Sequence, residues 1–206
     1  EKMRAMVKKA ERPVEFSVYS GYQSQCTKEH YGVDWSRLAP QLDFDIAGYN
    51  GDRRAVQATG EAPGDTPLRG GEMWYLSDTG DAQAPPKMET WCNRLLRQFM
   101  ESGGNGCLIW WLPPMEGGAF YATSRAAELI ARYEGYFSEG RRCDERVSVM
   151  GIDPTCWAAF EKDGRILVVT LNFTGQPLTG TVTAAGSRSP IRVEPFGYVA
   201  TVLQGH

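Results

Sequence analysis

The sequence predicts an α/β chain of four strand-helix units followed by a small antiparallel β-sandwich. Three observations predict it. Apolar residues alternate between strand-type and helix-type spacing over residues 1–144. The run Cys107 to Leu112 is apolar at every position, as in a strand buried on both faces of a parallel sheet. From Arg146 onward the pattern changes to short strands separated by Gly, Pro and Asp turns. The boundary between the two regions is expected near residue 144, giving domains at 1–144 and 145–206.

The elements follow in order. Met3, Met6, Val7 and Ala10 share one helical face, and Pro13 stops that helix. Val14 to Tyr19 reads as a strand closed by Ser20-Gly21-Tyr22-Gln23. Val33 to Leu42 reads as a helix with Trp35 and Leu38 inward, and His30 as a residue of the polar loop before it. Phe44 to Tyr49 is a second strand, ended by Asn50-Gly51-Asp52, and Arg53 to Ala62 is a weaker helical segment. Leu68 to Leu76 is the third strand, in which Gly70 and Gly71 ask for a bulge or a close backbone approach. Met88, Trp91, Cys92, Leu95, Leu96 and Phe99 define a helix, and Gly103-Gly104 ends it. After the Cys107 strand and Pro113-Pro114, a helix carries Ala126, Leu129, Ile130, Tyr133 and Phe137 inward.

The second region has strands at Val147 to Met150, Trp157 to Glu161, Arg165 to Phe173, Thr179 to Ala184 and Tyr198 to Leu203. Lys162-Asp163-Gly164-Arg165 is a hairpin signal. Trp157, Phe160, Phe173 and Phe196 are spaced to fill the space between two sheets.

Composition narrows the function. With 22 Lys plus Arg against 25 Asp plus Glu, the formal charge is -3, which gives no footprint for a nucleic acid or an anionic membrane surface. The longest apolar run is too short to span a bilayer. The five cysteines, at 26, 92, 107, 143 and 156, form no C-x-x-C pair, so neither a zinc site nor a disulfide framework is indicated. The opening Glu1-Lys2-Met3-Arg4 reads as a boundary inside a longer pattern. Neither G-x-G-x-x-G nor G-x-x-x-x-G-K-[ST] occurs.

Four strand-helix units fit a doubly wound open sheet or half of an eight-stranded barrel, and the count alone does not choose. In a barrel the active site forms at the carboxyl ends of the strands. Those ends carry Tyr19, Ser20, Tyr22 and Gln23; Tyr49, Asn50 and Asp52; Glu72, Trp74 and Asp78; and Trp110, Trp111 and Glu116. Aromatics interleaved with carboxylates and amides suit a sugar, which offers apolar ring faces and a rim of hydroxyls. Such chemistry requires no cofactor and no metal. Trp110 and Trp111 alternate along one strand, so only one of them shares a face with a pocket.

The segments Gly70-Gly71-Glu72-Met73-Trp74-Tyr75 and Gly106-Cys107-Leu108-Ile109-Trp110-Trp111, with Leu171-Asn172-Phe173-Thr174 in the terminal region, resemble the C-terminal half of a clan A glycoside hydrolase. The resemblance implies strands 5–8 of a (β/α)8 TIM-type barrel followed by a β-domain. It implies a retaining double displacement on a glycosidic bond, β-linked and galactosidase- or glucosidase-like, with Glu72 at the nucleophile position. Tyr49 then stands where a strand-6 aromatic flanks the site, and Trp110 or Trp111 where a strand-8 indole floors the pocket. Tyr22, Asn50 and Trp74 complete the substrate-binding set. A retaining enzyme needs a second carboxyl group roughly 5–5.5 Å away. The strand-4 Asn-Glu pair of the clan has no counterpart here, so the resemblance implies a second polypeptide carrying the N-terminal barrel half, and an inactive chain on its own.

Two rivals stand beside this reading. One is a non-catalytic carbohydrate-binding or scaffolding half-barrel. The other is an α-galactosidase-like barrel that uses Asp52 in place of Glu72. A secreted or periplasmic setting suits a polysaccharide-degrading enzyme, while an odd number of scattered cysteines leans the other way.

Overall fold

A computed structural model describes residues 2–48, 59, 68–74, 88–102, 106–110 and 117–205, with strands 68–74 and 107–110 described by their backbone. The chain divides into two compact units. The first comprises Glu1–Pro85 and Glu101–Leu112, the second Pro86–Met100 and Pro113–His206.

The first unit is built on a parallel sheet of four strands in the order β1-β2-β3-β4: Ser17–Gly21, Phe44–Gly48, Leu68–Trp74 and Cys107–Trp110. Among the described residues β1 and β4 each have a partner on one side only, so the sheet is open and does not close into a barrel. Among the described residues, helices α1 (Lys2–Val7), α2 (Gln25–Tyr31) and α3 (Trp35–Leu38) accompany it. Asp43, just ahead of β2, accepts hydrogen bonds from Arg4 at 3.2 Å, Lys8 at 2.9 Å and the Phe16 amide at 2.7 Å. These bonds hold its carboxyl down at about 2, Lys8 first and then the amide, and tie α1 to the start of the sheet.

One face of this sheet is covered. Trp35 and Leu42 pack with Tyr22 and Ala47, and Val18, Phe16, Val33 and Leu38 close around them. Val18 and Ala47 therefore mark the covered face, and residues two apart along each strand share it. Asp45 lies on this face, paired in register with Val18. It is fully buried, and neither carboxyl oxygen has a hydrogen-bond partner among the described residues. Burial pushes its pKa up to about 7, since an ionised carboxylate there has lost its water with nothing in exchange.

The second unit contains α4 (Trp91–Glu101, entered through a 3-10 turn at Met88–Thr90), α5 (Gly117–Arg132) and α6 (Glu134–Ser138), then strands β5 to β11. The strands make two antiparallel sheets. One has the order β10-β9-β6: Ser187–Val193, Leu178–Ala184 and Val147–Met150. The other has the order β11-β8-β7-β5: Tyr198–Gln204, Arg165–Leu171, Trp157–Lys162 and Arg141–Arg142. Ala159, Ile166, Val168 and Leu203 of the second sheet meet Val182, Ala184 and Ile191 of the first in a common core. The alternate residues Phe160, Leu167, Val169 and Leu171 are as deeply buried, so the second sheet is covered on both faces. Phe160 packs edge-on against Phe137 of α6 at 4.9 Å, and Phe137 in turn against Phe99 of α4 at 5.1 Å.

The structure corrects several expectations. The first strand begins at Ser17 instead of Val14. His30 stands on α2, a helix that the apolar pattern did not announce, because Thr27 is its one buried residue. Its signals are the caps: Ser24 accepts from the Thr27 amide at 3.0 Å, and Gly32 ends it at φ 67°. The helix expected from Val33 to Leu42 is a single α turn from Trp35 and then a 3-10 turn over Ala39–Gln41, in which Pro40 removes an amide donor. Strand β10 was not anticipated because Pro190 interrupts it, and it is tolerated because β10 is the edge of its sheet. Phe160 lies on the helix side, not between the sheets. Phe196 stands in the turn before β11, 37% exposed, at φ 53°.

The hairpin expected at Asp163-Gly164 is present, with φ of 49° and 68° at those residues. The β9–β10 hairpin turns on Ala185-Gly186 with φ of 47° and 80°, so an alanine occupies a left-handed position that asparagine fills with less strain. Ala185→Asn is expected to raise unfolding stability by up to about 1 kcal/mol in urea titration, and an unchanged or lowered midpoint would contradict the turn assignment.

Asp45 gives a pH signature. The unfolded carboxyl ionises near its ordinary value of 3.8, and the folded one near 7. Between these values the folded chain keeps a proton that the unfolded chain has lost, so stability falls as pH rises from about 4 to about 7 and is level beyond. The Asp45→Asn variant should lose this component, up to roughly 1.4 kcal/mol per pH unit relative to wild type. Parallel stability profiles of the two proteins across that window would contradict it.

Candidate active site

The carboxyl ends of β1 to β4 are where sequence placed the candidate residues, and the register decides which of them share a face. Tyr19 pairs with Ile46, Ile46 with Gly70, Glu72 with Leu108, and Trp74 with Trp110. Paired positions lie on the same face, and so do positions two apart. Residues 19, 46, 70, 72, 74, 108 and 110 therefore lie on one face of the sheet. It is the face opposite the one covered by Trp35 and Leu42, because Ala47 pairs with Gly71, one position before Glu72.

This assignment depends on an irregularity. Asp45 pairs with Leu68 but Ile46 pairs with Gly70, so Arg69 is an extra residue in β3. Without that bulge residue 72 would have the parity of Leu68 and lie on the helix-covered face. The bulge that Gly70 and Gly71 led us to expect thus falls one residue earlier, and it brings Glu72, Trp74 and Trp110 to one face near the carboxyl ends of adjacent strands.

The end of β1 is occupied by structural bonds. The Trp35 indole donates to the Gly21 carbonyl at 2.8 Å, and the Trp35 amide to Gln23 Oε1 at 3.0 Å. Gln23 Nε2 donates to Asp34 at 3.0 Å, and the Gln23 amide to Thr59 Oγ1 at 2.7 Å. Asp34, bonded by Gln23, Ser36 and Lys28, is held far below the usual carboxylate range. Tyr22 is 3% exposed within the Trp35 cluster, so its ring is part of the core. Tyr19 is 38% exposed on the open face. Tyr49, Asn50 and Trp111 lie outside the described residues, as do Asp52, Asp78, Glu116 and most of the 53–62 segment. The site subset that the described strands bring together is Glu72, Trp74 and Trp110.

Other nucleophile classes have less to work with. Burial pushes the thiols of Cys92 and Cys143 up to about 11, well away from a reactive thiolate. Cys26 and His30, one helical turn apart on α2, are 3.6 Å from each other and exposed. Among the described residues no three His, Cys, Asp or Glu side chains converge as metal ligands, and no helix is long and apolar enough to cross a membrane.

The sequence matches no protein-family profile and no curated protein. Solved structures do match. A GH30 endoxylanase from Clostridium papyrosolvens superposes with a TM-score of 0.56 over 98% of this chain, at 12% identity. The 206 residues correspond to 60% of that protein's length. An endo-β1,6-glucanase superposes with a TM-score of 0.49 over 89% of this chain and 46% of its own, at 14% identity. The first likeness shows the fold. This chain has an α/β sheet resembling part of a glycoside-hydrolase-type barrel, followed by a small β-domain.

Proposed function

We propose that this chain is the C-terminal part of a retaining glycoside hydrolase that cleaves a β-linked glycan, with Glu72 as the nucleophile. In this reading residues 1–144 carry strands 5–8 of the barrel and residues 145–206 its β-domain. The observation that carries the proposal is the shared open face of Glu72, Trp74 and Trp110 at the ends of β3 and β4, on a fold like that of the GH30 endoxylanase.

The roles follow from chemistry. A carboxylate at position 72 attacks the anomeric carbon and displaces the leaving oxygen, which takes its proton from an acid across the site. Water, deprotonated by the same group, then releases the glycosyl ester. Trp74 and Trp110 supply indole surface for pyranose stacking, Tyr49 orients the carboxylate, and Asn50 hydrogen-bonds the sugar hydroxyls. Trp110, and not Trp111, faces the sugar in this reading, because the two alternate along the strand. Tyr22, within the core, has a packing role.

The acid/base group and the missing strands come from polypeptide outside these 206 residues. The support is physical: parallel strands are stable when both edges and both faces are covered, and β1 has one neighbour among the described residues. A glycan is the partner this reading requires, without a nucleic acid, a membrane or a cofactor.

The test is nucleophile replacement in the complete barrel. Glu72→Gln is expected to lower turnover of an activated aryl β-glycoside on the order of 10⁴-fold or more. With Glu72→Ala, azide should restore product as a glycosyl azide of inverted configuration, because the small anion enters where the carboxylate stood. Wild-type turnover in Glu72→Gln would remove this residue from the mechanism, and rescue at Asp52 instead would favour the aspartate reading.

A further inference from the structure

The second unit carries a groove that the proposed chemistry does not use. It has a volume of about 490 Å³, in the range of small-molecule sites, and is formed by α4, α5 and the turn between β10 and β11. Tyr121 on α5 is 65% exposed at its wall, and Phe196 presents its ring from the turn. Two cations and two anions, Arg125, Arg192, Glu89 and Glu194, also line it.

The turn is held in an unfavourable shape by buried groups. Phe196 has φ 53°, a conformation costly for a residue with a Cβ. The fully buried Asn93 side chain donates to the carbonyls of Asn172, Phe196 and Gly197 at 2.7, 3.1 and 3.0 Å. Asn172, also fully buried, donates to Gln176, Val193 and Glu194 and accepts from the Thr174 amide and hydroxyl. Arg125 is fixed as well: its guanidinium lies 5.4 Å over the Tyr198 ring, and its carbonyl accepts from the Tyr198 hydroxyl at 3.3 Å. An aromatic residue is thus kept partly in water, 37% exposed, by a framework that could have placed a glycine there at lower strain.

The lining selects the ligand class. Two cations offset two anions, so the groove has no preference for a nucleic acid or another polyanion. Exposed aromatic faces beside paired charged groups fit a neutral molecule with apolar faces and a dense hydroxyl rim. We propose that this groove is a glycan-binding site, distinct from the sheet face that carries Glu72, in which Phe196 and Tyr121 stack on pyranose rings while Arg192 and Glu194, 2.7 Å apart, hydrogen-bond the hydroxyls. The site binds and does not cleave, and it holds a glycan between α5 and the β10–β11 turn of the second unit, independently of the catalytic reading.

The test is titration of the 206-residue chain with cellohexaose, xylohexaose and a β1,6-linked glucohexaose, followed by calorimetry and by amide chemical shifts. At least one hexaose should bind and shift the amides of residues 194–197. Tyr121→Ala and Phe196→Ala should each weaken that binding tenfold or more, and Phe196→Trp should keep it. At saturation the amides of residues 68–74 should stay unmoved, which separates this site from the catalytic proposal. Tyr121 is an exposed helical residue, so its variant decides the matter even where Phe196→Ala disturbs the turn. Absence of binding by all three sugars, binding indifferent to Tyr121→Ala, or shifts at residues 68–74 in place of residues 194–197 would each overturn the proposal.

Discussion

The single extra residue at Arg69 is the constraint on which the candidate site depends. Strand side chains alternate with a period of two, so one inserted residue exchanges the two faces for everything after it. Ahead of the insertion Leu68 shares a face with Asp45, under the helices. After it Glu72 and Trp74 share the opposite face with Ile46 and Trp110. Two glycines directly after the bulge let the backbone absorb the change, since glycine adopts the irregular conformations that a bulge asks for most readily.

The second unit is governed by a different interaction. A four-stranded sheet buried on both faces leaves its turns little freedom, and two buried asparagines use what remains. Asn93 reaches from α4 to three carbonyls around the last turn, and Asn172 collects three more from the loop beside it. The amide nitrogens are satisfied inside the protein, where such bonds are worth more than in water, while the buried Asn93 Oδ1 has no partner among the described residues. They explain why an Asn-Phe-Thr segment closes β8, and they keep Phe196 at the surface despite its backbone strain.

Much of this was legible in the sequence where one physical signal dominates. The apolar face of α4 and the all-apolar β4 stand out by periodicity, and Asp163-Gly164 by turn chemistry. Elements held by polar or long-range effects were not legible. The helix α2 buries one threonine and rests on its caps. The edge strand β10 tolerates a proline that argues against a strand. At the site, Glu72, Trp74 and Trp110 could be read as strand-end residues, but their common face could not, because simple alternation from Leu68 puts residue 72 on the wrong side. Tyr22 and Gln23 have the composition of a sugar site, yet one is core and the other is bonded to Trp35 and Asp34. Nor does anything in the local sequence around Asp45 announce a buried acid.

The most direct test of the account is cysteine scanning of residues 71–74 in a background where Cys107 is serine, with the rate of thiol alkylation at each position read by peptide mass spectrometry. The register predicts a two-residue period, with positions 72 and 74 reacting fast and positions 71 and 73 protected beneath the helices. The reverse pattern would place Glu72 on the covered face and contradict both the bulge assignment and the active site built on it.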